Sequence, residues 1–148
     1  MMDMRKALVC TGGTALLAAT ALDTAGVVGR HIGLPLHGVI ELIQPAILTA
    51  GTVALLWATL CASHAKVHLV VDRLPEAWAA RALRIADLAS ALFFAGVLAG
   101  SIWIAADMWP SHERSELVGV PWAALRVIAN IGILATIIVL VRRLVRRP

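Results

Sequence analysis

Charge is scarce in this sequence. Asp, Glu, Lys and Arg make up 15% of its 148 residues, where a soluble domain carries about 25%. Apolar residues reach 60% against about 45–50%, and mean hydropathy is +0.86. The imbalance excludes a soluble domain with an ordinary hydrated surface. Cysteine is scarce too. Cys10 and Cys61 lie in different apolar segments, with no C-x-x-C and no Cys/His cluster, which speaks against a membrane thiol oxidoreductase or a zinc site. They read as small apolar fillers. There is no Gly-rich phosphate loop, and Ser, His and Asp are scattered without a nucleophile–base order. No catalytic, substrate-binding or metal-ligating residue is therefore assigned, and no cofactor. Internal repeats, low-complexity linkers and a separate soluble domain are also missing.

What is present is apolar length. Ala46–Ala62 holds seventeen residues without a charge. A hydrocarbon core of about 30 Å needs about 20 residues of helix, so this stretch reaches spanning length if Val39–Pro45 joins it. Pro45 then either sits near the helix start or kinks a helix that begins at Val39. Leu88–Ala106 adds nineteen uncharged residues. Ala7–Gly29 and Trp122–Val141 are the other two apolar segments, interrupted by Asp23 and by Arg126 with Asn130. The pattern predicts a single all-α integral membrane domain over 1–148, with four transmembrane helices at about 7–29, 39–62, 86–108 and 120–141. A basic start and Ala19-Thr20-Ala21 fit a cleaved signal peptide. The apolar character resumes after Asp23 and favours a retained first span.

Connections are marked by helix breakers: Gly33, Pro35 and Gly38 in the first, Pro110 and Pro121 in the last. Trp78, Ala82 and Ile85 of residues 75–87 (PEAWAARALRIAD), with Leu74 just before them, recur at helical spacing, with Arg81 and Arg84 on another face. They read either as an amphipathic helix in the membrane interface before the third span or as the end of that span. Net charge is +4 and the isoelectric point about 10.0, which first suggests nucleic acid. Placement argues otherwise. Ten of the thirteen basic residues fall on the side of both termini and the middle loop (Arg5, Lys6, Lys66, Arg73, Arg81, Arg84, Arg142, Arg143, Arg146, Arg147), and three (Arg30, Arg114, Arg126) on the other. Lys and Arg are retained in the cytoplasm. Both termini are expected there, with the terminal arginines near anionic lipid headgroups and no nucleic-acid partner.

Ionisable groups inside spans are costly. Asp23, Glu41, Asp107 and Arg126 qualify, all toward the outer ends of their spans, where they can reach water. Arg126 is expected to pair with Glu41 or Asp107. His64 and His68, four apart, share a helix face, but two ligands from one helix underserve a metal or haem. Gly96 and Gly100 form a G-x-x-x-G face on the third span, which lets a partner helix approach closely. Gly12, Gly13, Ala15 and Ala19 make the first span similarly smooth.

Three stretches go further. VVGRHIGLPLHGVIELI (Val27–Ile43), HAKVHLVVDRLP (His64–Pro75) and SELVGVPW (Ser115–Trp122), in this order across four spans, resemble the small membrane subunit (DctQ-like) of tripartite ATP-independent periplasmic (TRAP) transporters. Gly38-Val39-Ile40 before Glu41, and Asn130-Ile131-Gly132 in the last span, depart from the family pattern. The resemblance implies a non-enzymatic scaffold in the bacterial inner membrane. Its partners would be a large permease subunit and a periplasmic substrate-binding protein, serving sodium-driven uptake of organic acids. It implies that Arg30, Glu41, His68 and Asp72 are structural or partner-contact residues, with Gly96, Gly100 and Arg126 added from the span chemistry. Glu113 and Glu116 in the outer loop are candidates to touch the periplasmic protein. Two rivals stand beside it. A self-contained four-span exporter would need Asp23 as its exchanging carboxylate, and a haem- or quinone-linked subunit would need histidines at depth.

Overall fold

The computed structural model describes residues 2–61, 75–109 and 113–146. Within them the chain forms four helices: α1 (Met2–His31), α2 (Val39–Leu60), α3 (Glu76–Met108) and α4 (Trp122–Arg146). Each is long and apolar enough to cross a membrane. The one non-helical pairing among the described residues is a single antiparallel bridge between Arg114 and Pro121. Helix is what an apolar sequence must form in lipid, since each segment then satisfies its own backbone N–H and C=O groups.

The apolar residues 39–45 do join α2, and Pro45 lies inside the helix. Residues 76–87 are the first turns of α3, continuous with the apolar residues that follow. At 33 residues that helix is about 50 Å long, well beyond the hydrocarbon thickness. Its uncharged part begins at Leu88, so the turns carrying Arg81 and Arg84 project beyond it or tilt into the interface. There Trp78 is exposed and the Arg81 guanidinium lies 5.2 Å from its ring centre.

Packing runs in a row. α1 packs on α2, α2 on α4, and α4 on α3. The buried apolar side chains among the described residues are Ala19, Ala91, Leu125 and Leu140. A closed bundle of this size would bury many more, so the row is open on its faces. Where helices do meet, they meet through small residues. A Cβ built on Gly132 of α4 would collide with Thr52 Cγ2 of α2, and one on Gly12 of α1 would come within 3.1 Å of Val53 Cγ1. Apolar collapse gives no drive in lipid, so close backbone approach and polar contacts hold the helices. Ser101 Oγ of α3 donates to Asn130 Oδ1 of α4 at 2.6 Å. Elsewhere the hydroxyls of Thr14, Thr20, Thr24, Thr49, Thr59, Ser90 and Thr136 donate to the carbonyl four residues back. These polar groups are thereby satisfied without a partner helix.

The Gly132–Thr52 contact gives a direct test of the α2–α4 seam. Gly132→Ala should destabilise the chain by about 1–3 kcal/mol, the usual cost of forcing a methyl into a packed site. Thr52→Ser, which deletes the colliding methyl, should restore most of that loss. Thermal unfolding of both single variants and the double variant in one detergent measures the coupling. Additive effects would mean that the two residues do not meet.

Candidate functional site

The residues that carry chemistry gather at one end of the row, where α1 gives way to α2 and where the 113–121 loop leads into α4. The loop is a small closed turn built around Ser115. The Ser115 N–H donates to Val120 O at 3.0 Å, its carbonyl accepts from Gly119 N–H at 3.1 Å, and its Oγ accepts from Val120 N–H at 2.8 Å. Trp122 N–H donates to Glu113 O at 3.2 Å, tying the loop's start to the first residue of α4.

Glu41 reaches into this turn. It is the third residue after Gly38, in the first turn of α2, where the helix dipole favours an acid. Leu117 N–H donates to both carboxylate oxygens, at 3.2 and 3.1 Å, and Val118 N–H donates to Oε2 at 2.8 Å. The Ser115 hydroxyl and the Glu116 N–H are directed at the same carboxylate. Successive N–H groups converging on one anion form a backbone nest, and bonds to an ionised acceptor are about twice as strong as neutral ones. The stretches Val27–Ile43 and Ser115–Trp122, far apart in sequence, thus meet as lock and key.

Gly38 makes the approach possible. Its φ is 78°, a left-handed conformation that side chains resist, and a Cβ there would lie 2.7 Å from Val118 Cγ2 and 3.3 Å from Leu117 Cβ. Beside this joint lies a pocket of about 360 Å³, lined by Asp23 and Arg30 of α1, by Glu41, and by Leu36, Ile43 and Leu117 among others. Asp23 and Arg30 are seven apart and so share a helix face. The pocket can meet charge of either sign. Among the described residues no three His, Cys, Asp or Glu side chains gather as a metal site would require.

The expected partner of Arg126 is corrected. Arg126 Nη2 pairs with Glu113 Oε2 at 3.4 Å and contacts Met108 Sδ at 3.1 Å. It pairs with neither Glu41 nor Asp107. Glu41 is engaged by the nest, and Asp107 is exposed. Glu113 wins because its backbone is bonded to Trp122, one helical turn from Arg126. Both partners are about a third exposed or nearly so, and an ion pair of that kind contributes at most about 1 kcal/mol.

Arg30 and Glu41 therefore share one pocket, Glu113 and Arg126 form one ion pair, and Glu116 stays exposed on the turn. Gly96 and Gly100 lie elsewhere, on α3, with nothing within 4 Å of a Cβ built on either. His64, His68 and Asp72 lie outside the described residues, as does His112. Ser115 was not singled out by sequence reasoning. A serine followed by a left-handed glycine four residues on is a turn signal that could have marked it. At the opposite end of the row, Arg143 Nη2 of α4 donates to Thr59 O of α2. The α2 C-terminus has no basic residue in its own last turn, and Arg143 supplies the charge.

The sequence model of one family, described as the DctQ component of tripartite ATP-independent periplasmic transporters, matches residues 19–147. No curated protein matches the chain.

Two substitutions test the joint. Glu41→Ala should speed amide hydrogen exchange at Leu117 and Val118 severalfold while leaving α1 and α3 amides unchanged. Equal protection would show that the loop is held by its own turn alone. Gly38→Ala should lose about 1–2 kcal/mol from the left-handed backbone alone, read as a lower unfolding temperature with the same exchange signature.

Proposed function

The chain belongs to the DctQ family of TRAP transporter components, and on that premise we propose that it is the small, non-enzymatic membrane subunit that braces a large permease subunit. The open row of helices is what carries this reading. A transport path needs an enclosure, and the row, with four buried apolar side chains among the described residues, is open across its middle. Ionic side chains sit toward the helix ends, with Glu41 and the Arg126–Glu113 pair on one side and Arg5 and Arg143 on the other. The polar contacts at depth, Ser101 to Asn130 among them, are neutral and fasten helix to helix. In this reading the cargo moves through the large subunit, and uptake of organic acids is driven by a sodium gradient.

Orientation follows from the basic residues. With both termini and the 62–74 segment in the cytoplasm, ten basic residues face inward and three outward, in line with the retention of Lys and Arg. The membrane is then the bacterial inner membrane, and the Glu41 joint faces the periplasm. There the exposed Glu116 and the loop that Glu41 holds are placed to touch a periplasmic substrate-binding protein. Arg30 at the pocket rim belongs to the same outer surface. The open Gly96–Gly100 face of α3 is a docking face for a helix of the large subunit.

Deleting this chain should abolish uptake while leaving ligand capture by the periplasmic protein unchanged. Persistent uptake without it would overturn the subunit role. Gly100→Leu should reduce co-purification of the large subunit severalfold. Because a Cβ at Gly100 meets nothing within 4 Å among the described residues, the unfolding temperature of the isolated chain should not fall. Unchanged complex yield would place the docking face elsewhere.

A further inference from the structure

An apolar groove of about 450 Å³ runs between the N-terminal half of α1 and the C-terminal half of α2, away from the Glu41 joint. Val9, Gly13, Leu16, Ile47, Gly51 and Trp57 are among its lining residues. A Cβ built on Gly13 or Gly51 meets nothing within 4 Å, so these glycines leave real space. The Arg5 guanidinium lies 5.9 Å from the centre of the ring of Trp57, which lines the groove, and Lys6 follows it in the chain and is exposed.

We propose that this groove, with Arg5 and Lys6 near Trp57, is a binding site for an anionic phospholipid, the acyl chain lying in the groove and the phosphate on the two basic side chains.

Height argues for a lipid over a helix. The lining residues run from Leu8 to Leu16 and from Ile47 to Trp57, about 12–15 Å of helix, roughly half the hydrocarbon thickness. One leaflet's acyl chain fits that span. A partner helix crossing the membrane would run well beyond the length of this groove. Charge argues for an anionic headgroup. Arg5 lies against the Trp57 ring and Lys6 is the next residue, and a Trp near a span end anchors an amphipathic boundary. Each basic residue near a membrane surface gives roughly a fivefold preference for anionic lipid.

The test uses the full chain with Trp57 as its one tryptophan, the other four replaced by phenylalanine. It is placed in phosphatidylcholine vesicles doped with brominated phosphatidylglycerol or brominated phosphatidylcholine. The brominated chains quench Trp57 on contact. Brominated phosphatidylglycerol should quench at a fivefold or lower mole fraction than brominated phosphatidylcholine. Arg5→Gln with Lys6→Gln should remove that preference and keep the weaker quenching. Gly13→Leu with Gly51→Leu, at two positions where a Cβ meets nothing within 4 Å, should fill the groove and lower quenching by both lipids. Equal quenching by the two lipids would overturn the proposal, as would unchanged quenching in the filled variant. In cells making the whole transporter, Val9→p-benzoylphenylalanine should capture phospholipid on illumination. Capture of another protein's helix, or of a second copy of this chain, would show that protein fills the groove and would equally overturn the proposal.

Discussion

In lipid, apolar surface gains nothing by turning inward. Every feature of this chain follows from that constraint. Its helices lie in the order α1, α2, α4, α3, a row in which the end helices each have one neighbour. A soluble protein could not leave Trp103 78% exposed or Leu17 72% exposed on its flanks without aggregating. Here such residues face acyl chains or a partner. What must be arranged instead is contact close enough for dispersion, hence Gly132 against Thr52 and Gly12 against Val53, and polar groups satisfied within or between helices.

A row held by short seams needs its ends secured, and both ends of the central pair are. α2 and α4 are the two helices with neighbours on either side. At one end the Glu41 carboxylate holds the turn that leads into α4, and at the other the Arg143 guanidinium donates to the Thr59 carbonyl near the end of α2. Each bond joins a side-chain charge to backbone groups that the helix or turn leaves over. Each also matches the helix dipole, with the acid in the first turn of α2 and the base at its last. The charges that looked costly in a membrane sequence are therefore placed where helix ends have unsatisfied groups.

Much of this was legible in residue order. Four apolar runs separated by Gly and Pro dictated four helices, because length against bilayer thickness is a coarse quantity that tolerates error at each boundary. The polar residues toward the outer span ends were equally legible, since hydropathy places them. Their partners were not. Arg126 was expected to meet Glu41 or Asp107 on grounds of depth alone, yet it meets Glu113, because a single backbone bond from Trp122 to Glu113 sets which acid is nearest. Depth is one coordinate, and pairing needs the other two. Gly132 was visible only as a departure from a family pattern. Its closeness to Thr52 depends on how α2 and α4 rotate about their axes, which hydropathy periodicity does not encode in a helix that is apolar all round.

The same rotational ambiguity explains why the glycines divide into two kinds. Gly12, Gly26, Gly38 and Gly132 each press against a side chain of this chain, so their smallness is already used. Gly13, Gly51, Gly96 and Gly100 face open space. Gly is unfavourable in a helix by about 1 kcal/mol relative to Ala, and no close contact among the described residues offsets that cost at the second set. If these residues are kept for a physical reason, it lies outside the polypeptide, and their positions point two ways. Gly13 and Gly51 sit between α1 and α2 in a recess half a membrane deep beside basic side chains. Gly96 and Gly100 sit on α3, the helix at the other end of the row, with bulky Phe93 and Trp103 exposed one turn beyond them on either side. A recess one leaflet deep suits a lipid, and a notch flanked by aromatic rings on a free helix suits another helix. The bracing role proposed for this chain would use surfaces of both kinds.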